Sequence, residues 1–159
     1  MGKYMLFIAA CATILLGCVN EPTFSLVPRI EFRSISKTEM NQATASFADS
    51  TRTTIYFEDG DGDIGGDSLS VFVLDTRTGG DAVSFRVKSI PIEGVSNAIS
   101  GTISFPIDAS CCIYDTGQIP CTPSNPVITQ ELVYDIYIKD RAGNQSNIVT
   151  LPAITLSCQ

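Results

Sequence analysis

The 159-residue sequence contains no histidine and no tryptophan, and its 10 basic residues are outnumbered by 17 acidic ones. Without histidine, zinc and copper lose their commonest ligand, and Ser-His and Cys-His nucleophile systems are excluded. The formal net charge of −7 repels nucleic acid and anionic lipid headgroups. We therefore expect no nucleic-acid partner, and any membrane attachment has to come from lipid chains rather than from a basic patch.

The N-terminus has the pattern of a secretory signal, because Lys3 is followed by the apolar run YMLFIAACATILLG. This run is too short for a comfortable membrane span. It ends in LLGC, which resembles the lipobox of bacterial lipoproteins. The resemblance implies that residues 1–17 are removed and that Cys18, the new N-terminus, is diacylated and holds the protein to a membrane. An ordinary secretory signal or an uncleaved anchor is the alternative.

The remaining chain is long enough for one domain with a sizeable core and too short for two typical ones. We expect a tether over residues 18–28, beginning at the lipidated cysteine, and one domain over 29–159. Apolar residues in this domain alternate or form short runs bounded by Gly, Pro, Asn and Asp, which predicts an all-β, antiparallel immunoglobulin-like β-sandwich of about seven strands. The predicted strands are 29–36, 51–59, 68–75, 84–93, 100–107, 132–140 and 147–156.

Of the six cysteines, Cys11 falls in the signal and Cys18 would carry lipid. The others are Cys111, Cys112, Cys121 and Cys158. In an oxidising compartment an even number of this kind predicts disulfides. A bond within the adjacent pair would be strained, so we predict that one of the two pairs with Cys121 and the other with Cys158, which pins an insertion near 108–126. A tetrathiolate zinc site is the competing interpretation, but the spacings do not match it.

An acidic, glycine-rich stretch, YFEDGDGDIGGDSLSVF, spans residues 56–72 and includes the end of the second predicted strand. It contains four aspartates: Asp59, Asp61, Asp63 and Asp67. A second polar loop, KDRAGNQSN, begins at the end of the sixth predicted strand and carries Asp140 and Asn144. In an immunoglobulin-like sandwich these two loops lie at the same end, so we expect them to meet.

Two of these aspartates end rows of side chains that face the core. Side chains alternate with period two along a strand, so Asp59 shares the face of Ile55 and Phe57. Asp140 extends the sixth strand in the same way. A carboxylate at the inner edge of a sandwich is costly unless something pairs with it, and the neighbouring lysine and arginine are out of phase with Asp140.

Aspartates held close together repel one another, and a hard divalent cation bound by their oxygens would remove that repulsion. The sequence therefore predicts one structural calcium site with the ligands Asp59, Asp61, Asp63, Asp67, Asp140 and Asn144. The first three spacings are similar to those of an EF-hand loop, but Ile64 stands where that loop needs glycine and Ser70 where it needs glutamate. Only the carboxylate chemistry carries over. A solvated acidic turn is the alternative, because turns also prefer Asp and Gly.

The lipobox, the stretch FEDGDGDIG and the later IKDRAGNQSNIV together resemble small lipoproteins of Bacteroidetes-type bacteria. The resemblance covers the mature chain and implies an immunoglobulin-like β-sandwich anchored in the outer membrane, facing the periplasm or the cell surface. It implies no particular activity. Val19 follows the acylated cysteine where an inner-membrane retention signal usually has aspartate, which favours the outer membrane.

Two classes of function fit this pattern. The first is a non-catalytic binding or interaction module of the cell envelope, stabilised by calcium and contacting a glycan or an envelope protein. The second is a small glycoside hydrolase or another carboxylate-based hydrolase. We favour the first, because histidine is absent and no pair of carboxylates is singled out by spacing.

Overall fold

The computed structural model describes residues 23–44, 46–88, 90, 97–115 and 119–159. In these ranges the chain is all-β, with ten strands and no helix. The strands are β1 (Arg29–Ile35), β2 (Glu39–Asn41), β3 (Ser50–Asp59), β4 (Val71–Asp75), β5 (Gly80–Phe85), β6 (Ile99–Asp108), β7 (Thr129–Leu132), β8 (Tyr134–Ile138), β9 (Val149–Thr150) and β10 (Ile154–Ser157). The signal peptide predicted over 1–17 and the lipidation site at Cys18 lie outside the described residues.

The strands form three sheets that share one core. The first sheet has the order β1-β3-β6, the second β5-β4-β8-β9, and the third β2-β10-β7. All pairings are antiparallel except that of β2 with β10, which is parallel. Side chains from all three sheets meet in a single hydrophobic cluster. The predicted all-β class is confirmed, and the arrangement is consistent with a β-sandwich.

The strand β3 shows how the sequence produces this packing. Its residues STRTTIYFED alternate strictly between buried positions and exposed or partly exposed ones, with Ile55 and Phe57 in the core. Its ladder with β6 is unbroken from Ser50 opposite Asp108 to Asp59 opposite Ile99. Branched and aromatic side chains fit a pleated surface that is buried on one face. The period therefore places Asp59 on the buried face of the first sheet.

Some of the predicted strand bounds are wrong. The fourth predicted strand, 84–93, overlaps β5 only at its first two residues, because β5 begins at Gly80 and ends at Phe85. Residues 86–88 and 90 are not in a strand, and 89 and 91–93 lie outside the described residues. The chain turns back directly after Asp75, where the amide of Gly79 donates to the Asp75 carbonyl at 2.9 Å and Gly79 adopts a φ of 69°. Glycine adopts this left-handed conformation without steric cost, so a tight hairpin forms in place of a longer loop.

The last two predicted strands each divide between two sheets. β7 and β10 pair in the third sheet, whereas β8 and β9 belong to the second. Between β9 and β10 lies Pro152, which cannot donate a ladder hydrogen bond. Between β7 and β8 the chain passes from one sheet to the other at Val133. The short strand β2 was not predicted.

The four cysteines of the domain form two pairs at disulfide distance. Cys111 lies opposite Cys121 with 4.6 Å between their Cα atoms, and Cys112 lies opposite Cys158 with 5.8 Å. This is one of the two pairings that the sequence left open. Cys112 and Cys158 are completely buried, so their bond fixes the insertion to the end of β10 inside the core.

Among the described residues there is no helix with the length and hydropathy that a membrane crossing requires.

Candidate metal centre

Three aspartates cluster where β3 ends. Asp59 is the last residue of β3 and is fully buried, and Asp61 and Asp63 follow it in the loop and are partly buried. One carboxylate oxygen from each lies within 4.8 Å of the other two. We call Asp59, Asp61 and Asp63 the acidic trio.

The loop that carries the trio is folded back on itself. The amide of Asp63 donates to Oδ2 of Asp59 at 2.9 Å, which closes a turn over the end of the strand. Ile64 is almost completely buried and anchors the loop in the core. Gly62 adopts a φ of 69°, and a Cβ atom there would collide with the carbonyl oxygen of Asn97. The loop is therefore shaped by packing as well as by its own turn residues.

The second polar loop lies against the trio, as the sequence predicted. The amide of Ala142 donates to Oδ2 of Asp63 at 3.0 Å. The amide and the Nε of Arg141 donate to the main-chain oxygen of Asp63 at 3.3 and 3.1 Å. The turn after β8 is thus attached to the loop after β3 through Asp63. We call this end of the domain the acidic end.

Asp140 is buried at the acidic end, with 6% of its surface exposed. Both of its carboxylate oxygens accept hydrogen bonds from Asn144, one from the amide nitrogen at 2.7 Å and one from the side-chain nitrogen at 2.8 Å. Asp140 is not a member of the trio, but its negative charge acts on Asp59 and Asp63. Asn144 holds Asp140 in place and faces it with its donor nitrogen.

The trio contains three buried oxygen atoms for which the described residues provide no hydrogen-bond partner. They are Oδ1 of Asp59, Oδ1 of Asp61 and Oδ1 of Asp63. A buried polar atom without a partner is rare in folded proteins and costs about 1 to 3 kcal/mol, and more when it is charged. One oxygen of each carboxylate is therefore available to a ligand inside the cluster.

Electrostatics in the trio favour a cation. Burial, together with the charges of Asp61, Asp63 and Asp140, raises the pKa of Asp59 from 3.8 to about 6. Burial and the charges of Asp140 and Asp61 also raise the pKa of Asp63. The guanidinium of Arg141 donates to a main-chain oxygen rather than to a carboxylate. Arg141 therefore forms no ion pair with the trio, and its charge only partly offsets the rise in the pKa of Asp63.

Asp67, which the sequence included among the ligands, is exposed and is not a member of the trio. The chain reaches Asp67 after Gly65 and Gly66, which both have positive φ angles and turn it away along the second sheet. Gly66 donates its amide to the Val87 carbonyl at 2.8 Å. The aspartate spacing alone did not reveal this change of direction.

A second buried carboxylate, which the sequence reasoning missed, lies at the opposite end of the domain. Asp75 ends β4 and is 5% exposed. Arg77 donates from Nε to Oδ1 of Asp75 at 3.0 Å and from a terminal nitrogen to Oδ2 at 2.7 Å. Burial alone would raise the pKa of Asp75, but the hydrogen bonds and charge of Arg77 outweigh it and lower that pKa. We call this the arginine end.

Strand register shows that the two ends are opposite. Val71 pairs with Ile138 and Asp75 pairs with Tyr134 along the same ladder. Asp140 follows Ile138, so it lies beyond the Val71 end of that ladder. An open cavity of about 390 Å³ lies at the arginine end, and its lining includes Asp75, Arg77, Ser110, Ile113, Tyr114 and Pro120. A sequence signal for this ion pair existed, because Asp75 is in phase with Val71 and Val73 and an arginine follows two residues later.

No protein-family model matches the chain, and comparisons with curated proteins and with solved structures also gave no match.

Proposed function

We propose that the protein is a non-catalytic lipoprotein of the cell envelope, whose β domain holds one structural calcium ion and serves as a binding or interaction module. The observation that carries this proposal is the acidic trio. One carboxylate oxygen from each of its three members lies within 4.8 Å of the other two, and each carboxylate has one buried oxygen without a partner among the described residues. Like charges repel at this place. A bound cation would supply the missing partner to all three at once.

Calcium fits the donor set best. It takes about six to eight oxygen ligands at about 2.3 to 2.6 Å in flexible geometry, whereas magnesium demands a small octahedral shell and gives up water reluctantly. The chain has no histidine, and the four cysteines of the domain are paired with one another, so nitrogen and sulfur ligands for zinc are lacking in the described residues. The trio would bind the ion directly, and Asp140 would add negative charge beside it.

Strand order supports an immunoglobulin-like fold for the domain. The sheet β1-β3-β6 has the order of strands A, B and E of that fold, and the sheet β5-β4-β8-β9 has the order C′, C, F and G. In this correspondence the trio lies in the B-to-C loop, and Asp140 begins the F-to-G loop. These loops lie at one end of a sandwich and commonly carry binding functions on such scaffolds.

The lipid anchor is supported by the LLGC motif that ends at Cys18 and by cysteine pairs that suit an oxidising compartment. We expect the wild-type protein to fractionate with membranes and the variant Cys18→Ala to appear in the soluble extract. Retention of that variant in membranes at high salt would contradict the lipobox interpretation. A variant with Cys11→Ala is the matched control and should fractionate like the wild type.

Calcium binding is tested on the full chain by thermal unfolding with millimolar calcium and with a chelator. At the affinity of extracellular calcium modules or somewhat tighter, calcium should stabilise the fold by roughly 1 to 3 kcal/mol, and magnesium should do less. Asp61→Asn should weaken the response, because it removes a carboxylate oxygen from the trio. An unchanged melting temperature in the wild type would mean that the stretch is a solvated acidic turn.

The interaction role is tested separately with the purified protein on a glycan array and with chromogenic glycosides. Specific capture of a glycan without turnover supports the binding module. Turnover of a glycoside that is lost when a single carboxylate is removed would instead support the hydrolase that the sequence left as the alternative.

A further inference from the structure

The N-terminal tether is attached to the loop that carries the acidic trio. Gly60, between Asp59 and Asp61, donates its amide to the carbonyl oxygen of Ser25 at 2.8 Å. We propose that cation binding at the trio clasps this tether onto the domain, so that the calcium site controls how firmly the anchor segment is held. This inference rests on the proposed calcium site and adds a regulated contact to it.

The contact is close and leaves no room for a side chain. A Cβ atom on Gly60 would lie 2.6 Å from the carbonyl oxygen of Phe24 and 2.8 Å from that of Ser25. Both atoms belong to the main chain, so the tether would have to move away. Gly60 does not adopt a positive φ, unlike Gly62. Its small size is thus required by the tether rather than by the conformation of the loop itself.

Of the described tether residues upstream of Pro28, Phe24 is partly buried and the other four are exposed. Leu26 and Val27 are exposed, and the amide of Val27 is bonded within the tether, to Oγ of Ser25. Pro28 is buried, and β1 then begins with Arg29 opposite Glu58 of β3. Any loosening would therefore be confined to the residues before Pro28, while the sheet stays intact.

The position of Gly60 links this contact to the ion. Its amide lies one residue from the fully buried Asp59 and one from Asp61, whose carboxylates repel when no cation is bound. A bound ion draws both carboxylates to one point and so holds the peptide between them in a single orientation. Without the ion, repulsion within the trio favours opening of the loop, and the amide of Gly60 would lose its alignment with Ser25.

The test is backbone ¹⁵N relaxation of the full chain in detergent micelles, with calcium and with a chelator. For Leu26 and Val27 we expect order parameters of about 0.85 with calcium, as in rigid backbone, and below about 0.6 with chelator, as in flexible backbone. Ile30, which is buried and paired with Phe57, should stay rigid in both conditions. Equal order in the tether in both conditions, while calcium still raises the melting temperature, would overturn the clasp and leave the calcium site standing.

Two glycine variants separate the clasp from the calcium site. Gly60→Ala should keep a calcium-dependent rise in melting temperature, yet its tether should stay flexible with calcium. Gly80→Ala is the matched control, because the nearest atom that its Cβ would meet is Oγ1 of Thr78 at 3.7 Å, and it should behave like the wild type. A tether that remains ordered by calcium in Gly60→Ala would overturn the proposal. Loss of any calcium response in the wild type would overturn both the clasp and the proposed calcium site.

Discussion

Asp59 and Asp75 both end a core-facing row of a strand, and both are almost completely buried, but their surroundings differ. At the arginine end, Arg77 donates to both oxygens of Asp75 and lowers its pKa. At the acidic end, burial and three neighbouring carboxylates raise the pKa of Asp59 to about 6. One buried charge is neutralised within the chain, whereas the other lacks a neutralising cation among its described contacts.

This difference shows that a buried carboxylate can be either a satisfied structural group or a group that still needs a cation. A carboxylate paired with arginine needs nothing further, so the arginine end is a structural feature of the hairpin between β4 and β5. A cluster of carboxylates whose oxygens have no partner among the described residues costs free energy, and an ion that bound them would offset that cost. The sites are best distinguished by changes that affect one end and leave the other unchanged.

The largest effect on stability is expected when the guanidinium of Arg77 is removed from the arginine end. Arg77→Met leaves Asp75 buried without its partner, which should lower the free energy of unfolding by about 3 to 5 kcal/mol at neutral pH. Urea denaturation with calcium and with chelator measures it, and the loss should be the same in both. The control Arg52→Met removes an exposed arginine and should change stability by less than about 0.5 kcal/mol. A loss that calcium restores would mean that the two ends are not independent.

The second effect is a pH dependence of the free energy of unfolding, to which the two ends contribute with opposite sign. The folded pKa of Asp59, about 6, lies above the unfolded value of 3.8, so the folded metal-free protein binds more protons in this interval. In chelator the free energy of unfolding should therefore rise as the pH falls from 7 to 4, by on the order of 3 kcal/mol from this residue. The lowered pKa of Asp75 means that its contribution is present above 3.8 and lost in more acidic solution.

Calcium should reverse the dependence at the acidic end, because protons compete with the ion for the same oxygens. Melting temperatures between pH 4 and 7 should fall with acidification in saturating calcium and rise in chelator. The variant Asp59→Asn should flatten the rise in chelator, which assigns it to this residue. A metal-free protein that loses stability steadily from pH 7 to 4 would contradict the raised pKa.

At neutral pH we expect Asp59→Asn to have a smaller effect on stability, and the sign of that effect should differ between chelator and calcium. Its amide oxygen can still accept the hydrogen bond that Asp63 donates at 2.9 Å, while the buried charge is removed. In chelator the variant should be more stable than the wild type by about 1 to 3 kcal/mol, and in calcium it should be less stable. Denaturant unfolding in both conditions measures the crossing. Equal destabilisation in calcium and in chelator would show that the charge at residue 59 does not destabilise the protein when no metal is bound.

Asp140→Asn should weaken the calcium response by less than Asp61→Asn does. Asp140 is outside the trio, and both of its oxygens already accept hydrogen bonds from Asn144, so it contributes charge more than a ligand atom. Calcium titrations of the two variants, followed by calorimetry, give the comparison. A response to calcium that is identical in Asp140→Asn and the wild type would show that the second loop does not influence the ion.

The smallest effect is expected for Asp67→Asn. This residue belongs to the same acidic stretch but is exposed and lies outside the trio. Its substitution should change stability by less than about 0.5 kcal/mol with calcium and with chelator. Loss of the calcium response in this variant would restore Asp67 to the ligand set that the sequence predicted.

The sequence by itself determined the features that depend on the geometry of one strand at a time. Alternating or short apolar runs along the chain predicted an all-β domain, and the alternation in β3 and β8 placed Asp59 and Asp140 at the ends of buried rows. The reason is that side chains of any extended strand alternate between its two faces, whatever the strand packs against. The contact between the acidic stretch and the second polar loop followed from the assumed fold and agrees with the contacts of Asp63.

Tertiary structure decided what depends on the path of the chain between strands. Local spacing treated Asp63 and Asp67 alike, but the glycines after Ile64 direct the chain so that Asp63 joins the trio and Asp67 does not. Local spacing likewise left the pairing of the cysteines open. The tertiary structure decides it, because it brings Cys112 of the insertion beside Cys158 at the end of β10. Loops and disulfides bring together residues that are distant in sequence, and no periodicity within a segment encodes the partner that a distant segment provides.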